Sequence, residues 1–256
     1  MEKQMIQRWV FAAALYMFAA LFTLNASPKP PYLMNQSFTA QAILENAYTY
    51  IGKQKSFAFD AVTINDDILQ DDVLIELKHI IHIEVDRPGA LLVDISGDVK
   101  NRTMYLQEGL FTLYNKSHNY YAQIDIPKDL DDALDYIFER YDIKTPLANI
   151  LYSDIVKRLK PKGIGHYVGS EYVGRVLCDY VVFSNTREEF QVWIEKGDKP
   201  LIRKFIIIDK TGKRELRSTT LILWQDPFIS SSEHYTFQPL SGAIKIPIEV
   251  PEGRRP

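Results

Sequence analysis

The sequence has few of the groups that redox, metal or phosphate chemistry requires. Cys178 is the single cysteine among 256 residues, so an intrachain disulfide and a multi-cysteine metal site are excluded. It lies in an apolar run over 176–181, where a lone cysteine is typical of a small buried hydrophobe. Gly163 and Gly165 lack the third glycine and the following helix of a phosphate-binding loop.

A surplus of positive charge is also lacking. Lys and Arg number 30 and Asp and Glu number 33, giving a formal net charge of −3. Proteins that follow a phosphate backbone carry basic patches that raise the net charge. We therefore expect no nucleic-acid partner.

Candidate catalytic and metal-binding patterns are sparse. His79 and His82 are three residues apart in a predicted strand, which puts them on opposite faces and argues against joint metal ligation. We interpret His79, on the apolar face, as a core histidine with a satisfied hydrogen bond. Adjacent carboxylates such as Asp131 and Asp132 suit a helix start better than acid–base catalysis. We predict a non-enzymatic protein with no catalytic residue, metal site or cofactor.

One uncharged apolar run stands at the N-terminus, over residues 9–24, after the basic residues Lys3 and Arg8. Leu24 and Ala26 fit the −3 and −1 positions of a cleavage site, so we predict a signal peptide over 1–26, cleaved near Ala26. The run is shorter than the roughly 20 residues of a membrane span, although an uncleaved anchor remains an alternative. We expect a periplasmic mature protein that does not span the membrane.

The remaining chain divides by composition. Residues 27–38 are rich in Pro, Ser and Asn and are interpreted as a linker, and 247–256 as a Pro-rich tail. Residues 39–246 are predicted to form a single domain. Its helical segment, near 129–160, is interpreted as a lid.

Hydrophobic periodicity predicts an α+β domain. Apolar residues three and four apart predict a helix over 40–52, and alternation of period two predicts a strand over 75–85. Two helices are predicted in the middle, over 129–141 and from Pro146 to about 160. Strands before and after them number about 10–11. Together they predict a large antiparallel sheet whose apolar face is covered by amphipathic helices.

Several segments carry a resemblance to a known family. They are Ser56-Phe57-Ala58-Phe59, Asp86-Arg87-Pro88, Leu151-Tyr152-Ser153-Asp154 and Tyr235-Thr236-Phe237-Gln238-Pro239. With them, residues 40–245 resemble a predicted periplasmic domain family of unknown function, whose fold is related to the LolA/LolB-type lipoprotein carriers. The resemblance implies that the large sheet is an open, curved antiparallel half-barrel closed by helices. In those carriers the concave face takes up acyl chains.

These observations favour a carrier or chaperone for an apolar ligand, such as a lipid, an acylated peptide or a lipoprotein. The alternative is an envelope module that recognises a protein partner or acts as a sensor. Arg87, in a turn before a strand, is predicted to hold the lid through a bidentate hydrogen bond. The predicted ligand-binding side chains are those of Ile81, Ile83, Leu91, Val93, Ile95, Leu134 and Phe138.

Overall fold

The computed structural model describes residues 36–145 and 147–251. The predicted signal peptide, residues 27–35 of the predicted linker, Pro146 and residues 252–256 of the predicted tail lie outside the described residues.

Twelve strands in the described part of the chain form one open sheet. Its strand order is β12-β6-β5-β4-β3-β2-β1-β11-β10-β9-β8-β7, so β12 and β7 are the two edges. Adjacent strands are antiparallel except for β12, which pairs with β6 in parallel. The strands are β1 Ser56–Ile68, β2 Leu74–Asp86, β3 Ala90–Gly97, β4 Asn101–Gln107, β5 Leu110–Asn115, β6 Tyr120–Asp125, β7 Ile164–Val173, β8 Val176–Ser184, β9 Glu188–Glu195, β10 Ile202–Asp209, β11 Leu216–Gln225 and β12 Ile244–Lys245.

The large antiparallel sheet confirms the predicted fold class. The sheet has one strand more than the predicted upper number, because the two-residue strand β12 was too short to produce a periodic signal. The helices are α1 Gln36–Gly52, α2 Leu130–Tyr141, α3 Ala148–Leu151 and α4 Ile155–Arg158. Short 3-10 turns lie at Gln70–Asp72 and Ser232–Tyr235.

The prediction of a single second helix after Pro146 is wrong. The chain forms the single turns α3 and α4 instead, and Tyr152 between them has extended backbone (φ −67°, ψ 140°). The backbone N–H of Ser153 donates to both carboxylate oxygens of Asp131, each at 3.0 Å. This contact from α2 takes up a donor that a continuous helix would bond internally.

The core lies between one face of the sheet and the helices. On β2 and β3 this core face carries Ile81, Ile83 and Val85 opposite Ile95, Val93 and Leu91, as the predicted alternation requires. These six side chains belong to one buried cluster. The helical members of the cluster are Ala40, Leu44, Ala47, Tyr48, Ile51, Leu130, Ala133, Leu134, Ile137, Ile150, Leu151 and Ile155.

Helix α1 covers the β7–β9 end of the core face. Gly165 on β7 allows the close approach. A methyl group there would come within 2.8 Å of the Phe183 ring and 3.3 Å of Ala40 Cβ. A larger residue at 165 would therefore push α1 away from the sheet.

Residues 226–246, which we call the strap, follow β11 and contact the opposite face of the sheet. Phe237 packs among three tyrosine rings, at centroid distances of 5.5 Å to Tyr105, 5.3 Å to Tyr114 and 5.0 Å to Tyr121. His234 Nδ1 lies 2.8 Å from Glu84 Oε2. The strap therefore leaves the core face to the helices.

Candidate functional site

A cavity of about 960 Å³ lies between the core face of the sheet and the lid, which we define as α2, α3, α4 and their connections. Much of its wall is aliphatic or aromatic, and contributions come from both the sheet and the lid. The aliphatic and phenylalanine residues of the lining are Ile81, Ile95, Leu134, Phe138, Ile143, Leu147, Ala148, Ile150, Leu159, Phe190, Ile202, Phe205 and Ile207.

A polar row crosses the sheet within the same cavity. His79 on β2 is opposite Thr63 on β1, and Thr63 is opposite Thr220 on β11. Lys100 and Arg102, at the start of β4, also line the cavity. The wall therefore combines a large apolar area with a cluster of hydrogen-bonding and basic groups.

Three polar atoms of this wall are buried without a hydrogen-bond partner in the described part of the chain: His79 Nε2, Arg102 Nε and Thr145 Oγ1. Burial and the positive charges of Lys100 and Arg102 lower the pKa of His79, against the opposing effect of Asp98. Burial also lowers the pKa of Arg102. The interpretation of His79 as a core histidine with a satisfied bond is therefore wrong for its Nε2 atom.

Gly97 makes room for the His79 ring. The two residues are opposite each other in the β2–β3 pair, and a methyl group on Gly97 would lie 2.6 Å from His79 Cδ2 and 2.5 Å from the Lys78 carbonyl oxygen. Atoms in contact need more than 3 Å, so a side chain at 97 would displace the ring or the strand. Gly97 is the sequence signal from which the importance of His79 could have been predicted.

The predicted ligand-binding residues separate into two groups. Ile81, Ile95, Leu134 and Phe138 line the cavity, and Phe138 is 43% exposed. The other three are fully buried in the core cluster and are not brought to the cavity: Ile83, Leu91 and Val93. Alternation identified the correct face of the sheet but not the position along each strand where the cavity begins.

Arg87 connects the lid to the loop before β1. Its Nη1 donates to the Leu151 carbonyl oxygen at 2.7 Å, and its Nε donates to the Gln54 carbonyl oxygen at 3.1 Å. The guanidinium also lies 5.5 Å from the centroid of the Phe57 ring. Its two hydrogen bonds therefore reach two backbone carbonyls in different segments, whereas a bidentate bond was predicted.

A second contact group joins α2 to α4 at the cavity. Asp135 accepts hydrogen bonds from the Tyr152 hydroxyl at 2.8 Å and from Arg158 Nη1 at 2.9 Å. Arg158 also stacks on Tyr152, 4.0 Å from the ring centroid. Burial and the bond to Asp135 raise the pKa of Tyr152. These contacts fix the lid segments against one another.

Elsewhere the described residues show little that resembles a reactive site. Cys178 is buried, and burial raises its pKa to about 11, in agreement with the predicted role as a small hydrophobe. Over residues 36–145 and 147–251, histidine, cysteine and carboxylate side chains form no group suited to a metal ion. Within the same residues, the helices are too short or too polar to cross a membrane.

The architecture is thus a helix-covered open sheet with a cavity beneath the lid. Residues 40–249 match the family described as "Predicted periplasmic protein (DUF2092)", and the chain belongs to this family. The family predicted from the sequence segments is confirmed. No curated protein matches the sequence.

Several solved structures are similar to the chain. An uncharacterized conserved protein from Thermus thermophilus is 11% identical, with a TM-score of 0.45 and 82% of this chain and 99% of that chain covered. LprF from Mycobacterium bovis is 12% identical, with a TM-score of 0.47 and coverage of 76% and 96%. A LolA superfamily protein from Nitrosomonas europaea is 12% identical, with a TM-score of 0.32 and coverage of 77% and 97%.

Proposed function

We propose that the protein is a non-enzymatic binding protein of the periplasm that carries an apolar ligand, a lipid or an acylated peptide or lipoprotein, in the cavity beneath the lid. The cavity itself carries this proposal: about 960 Å³, with aliphatic and aromatic residues from both the sheet and the lid. Ligand pockets of roughly 300–1,000 Å³ bury most of a small molecule's surface. The family description supports the periplasmic location.

The driving force for binding would be the removal of apolar ligand surface from water. It contributes roughly 25 cal/mol for each Å² buried, before the cost of ordering the ligand. An acyl chain makes such contacts along its whole length and needs few directional bonds. We further propose that residues 39–246 act as one binding domain, with the lid controlling access.

A pair of matched substitutions, each of which introduces a carboxylate, tests this proposal. Ile207 on β10 lines the cavity and is 41% exposed, whereas Leu223 on β11 is 60% exposed and lies on the opposite face of the sheet. Because both side chains are already partly in water, Ile207→Glu and Leu223→Glu should each leave the fold intact. A carboxylate inside the cavity would oppose burial of an apolar ligand.

The measurement is a titration of each variant with the neutral fluorescent probe N-phenyl-1-naphthylamine. We expect Ile207→Glu to weaken probe binding by roughly tenfold or more, and Leu223→Glu to bind like the wild type. Equal binding by all three proteins would exclude the cavity as the site. Absence of binding by the wild type would instead favour the alternative function, recognition of an envelope protein partner.

A further inference from the structure

The unpartnered polar atoms of the cavity identify the class of ligand more narrowly. Arg102 Nε–H can only donate a hydrogen bond, and the Thr145 hydroxyl and the Nε2–H tautomer of a neutral His79 can donate as well. Buried donors without an acceptor are costly, and each calls for an explanation. A ligand group rich in acceptor oxygens would satisfy them together.

The positive charge beside these donors also favours an acceptor group, in particular an anionic one. Neither Lys100 nor Arg102 forms an ion pair within the described residues, and both lie near enough to His79 to lower its pKa. Asp98 is the carboxylate that acts against them, and it already accepts the Lys78 backbone N–H at 2.8 Å. The cluster therefore retains a positive charge without a full counter-charge.

The acidic residues of the cavity wall, Asp135 and Glu139, both lie on α2 of the lid. Asp135 is bound to Arg158 and Tyr152, as described above. The positive cluster thus lies on the sheet, whereas the carboxylates of the wall lie on α2.

We propose that the ligand is an anionic amphiphile, whose carboxylate or phosphate head is bound by Arg102, His79 and Lys100 and whose chain lies along the apolar wall. This inference rests on the proposed function and adds the chemistry of the head group. The apolar wall starts beside the head site, because Arg102 is opposite Ile95 in the β3–β4 pair and Ile95 is opposite Ile81. Charge-assisted bonds to the head would fix the orientation of the chain.

The test compares three ligands with the same sixteen-carbon chain and different heads: hexadecanoate, hexadecan-1-ol and hexadecyltrimethylammonium. Each displaces N-phenyl-1-naphthylamine from the wild type, from Arg102→Met and from the matched control Arg175→Met. Arg175 is exposed in the β7–β8 turn, away from the cavity lining. Lys100→Gln is a second variant, at an exposed position that can change without loss of the fold.

We expect the wild type and Arg175→Met to prefer hexadecanoate over hexadecan-1-ol by roughly tenfold, and Arg102→Met to lose that preference while still binding the alcohol. Lys100→Gln should reduce the preference for hexadecanoate less than Arg102→Met does. Equal affinity of the wild type for acid and alcohol would overturn the anionic head but leave the proposed function standing. Displacement by none of the three ligands would overturn both.

A further experiment distinguishes a lipid phosphate from a free carboxylate as the anionic head group. Vesicles of dipalmitoylphosphatidylglycerol are compared with vesicles of dipalmitoylphosphatidylcholine, and sodium phosphate is tested alone. Transfer of phosphatidylglycerol, with no effect of free phosphate, would assign the site to a lipid phosphate. Binding of hexadecanoate alone would assign it to a free carboxylate. Displacement by inorganic phosphate without a chain would contradict an amphiphile.

Discussion

Arg87 Nη1 donates a 2.7 Å hydrogen bond to the carbonyl oxygen of Leu151, at the end of the first short lid helix. The two residues are 64 positions apart in the chain. The bond connects the turn between β2 and β3 to the segment that covers the cavity. It satisfies a carbonyl that α3 cannot bond internally, because a helix leaves its last carbonyls without partners.

Replacing Arg87 by Ala should loosen the lid. The variant loses the bonds to Leu151 and Gln54 and the contact with Phe57, so we expect the free energy of unfolding to fall by about 2 kcal/mol. Amide hydrogen exchange over residues 147–159 should accelerate more than elsewhere. Arg175→Ala, at an exposed position, is the control. Unchanged exchange in the lid of Arg87→Ala would contradict this role.

Ile83→Ala and Phe138→Ala should distinguish a residue that only stabilises the core from a residue that also binds the ligand. Ile83 is fully buried, so its truncation should lower the free energy of unfolding by about 2–5 kcal/mol with little change in probe affinity of the folded protein. Phe138 is 43% exposed and lines the cavity, so its truncation should lower stability less and weaken binding. Denaturant unfolding and probe titration measure the two effects. If Ile83→Ala weakened probe binding and Phe138→Ala did not, the binding site would lie elsewhere on the core face.

Stability should depend on pH through His82, on the face of the sheet that the strap contacts. Its ring nitrogens lie 2.8 Å from Asp60 Oδ1 and 3.0 Å from Glu84 Oε1, and Glu84 also contacts His234. Burial lowers the pKa of His82, but these hydrogen bonds outweigh it and raise the pKa above 6.5. The stabilisation is then complete below pH 6.5 and is lost as the pH rises through the folded-state pKa.

We therefore expect the free energy of unfolding to decrease between about pH 6 and pH 8 in the wild type. His82→Gln should flatten this dependence, because glutamine does not titrate. His118→Gln, at an exposed position, should keep it. An identical slope in wild type and His82→Gln would show that the imidazole carries no extra charge in the fold.

Phe237→Ala should release the strap from the sheet. Its ring lies within 5.0–5.5 Å of the rings of Tyr105, Tyr114 and Tyr121, and each aromatic pair contributes about 0.5–1.5 kcal/mol beyond its buried area. We expect a loss of about 2–3 kcal/mol and faster proteolytic cleavage within 226–246. Probe binding should persist, because the cavity is on the other face. Resistance to proteolysis equal to the wild type would count against this anchoring role.

Much of the fold could be predicted because strand signals are local. Alternation over 75–85 placed the side chains of β2 on the correct faces of the sheet. The lid was harder to predict. The break between α3 and α4 depends on Asp131 bonding to Ser153, which are 22 residues apart, and local sequence does not encode that contact.

The site was predicted only in part for the same reason. All four of Ile81, Ile83, Val93 and Ile95 belong to the buried cluster, but only Ile81 and Ile95 also line the cavity. Periodicity cannot locate that boundary, since it depends on where the lid ends. Arg102 was missed because, in sequence, it is an ordinary charge beside a turn. Its importance comes from burial without an acceptor.

The most direct test of the proposed ligand-binding function is native mass spectrometry of the protein purified from its own cells, before and after extraction with organic solvent. We expect a co-purifying mass that disappears on extraction and returns when a long-chain amphiphile is added back. Loss of that mass in Ile207→Glu but not in Leu223→Glu would assign it to the cavity. A mass equal to the bare polypeptide, with no uptake when lipids are added, would contradict the account.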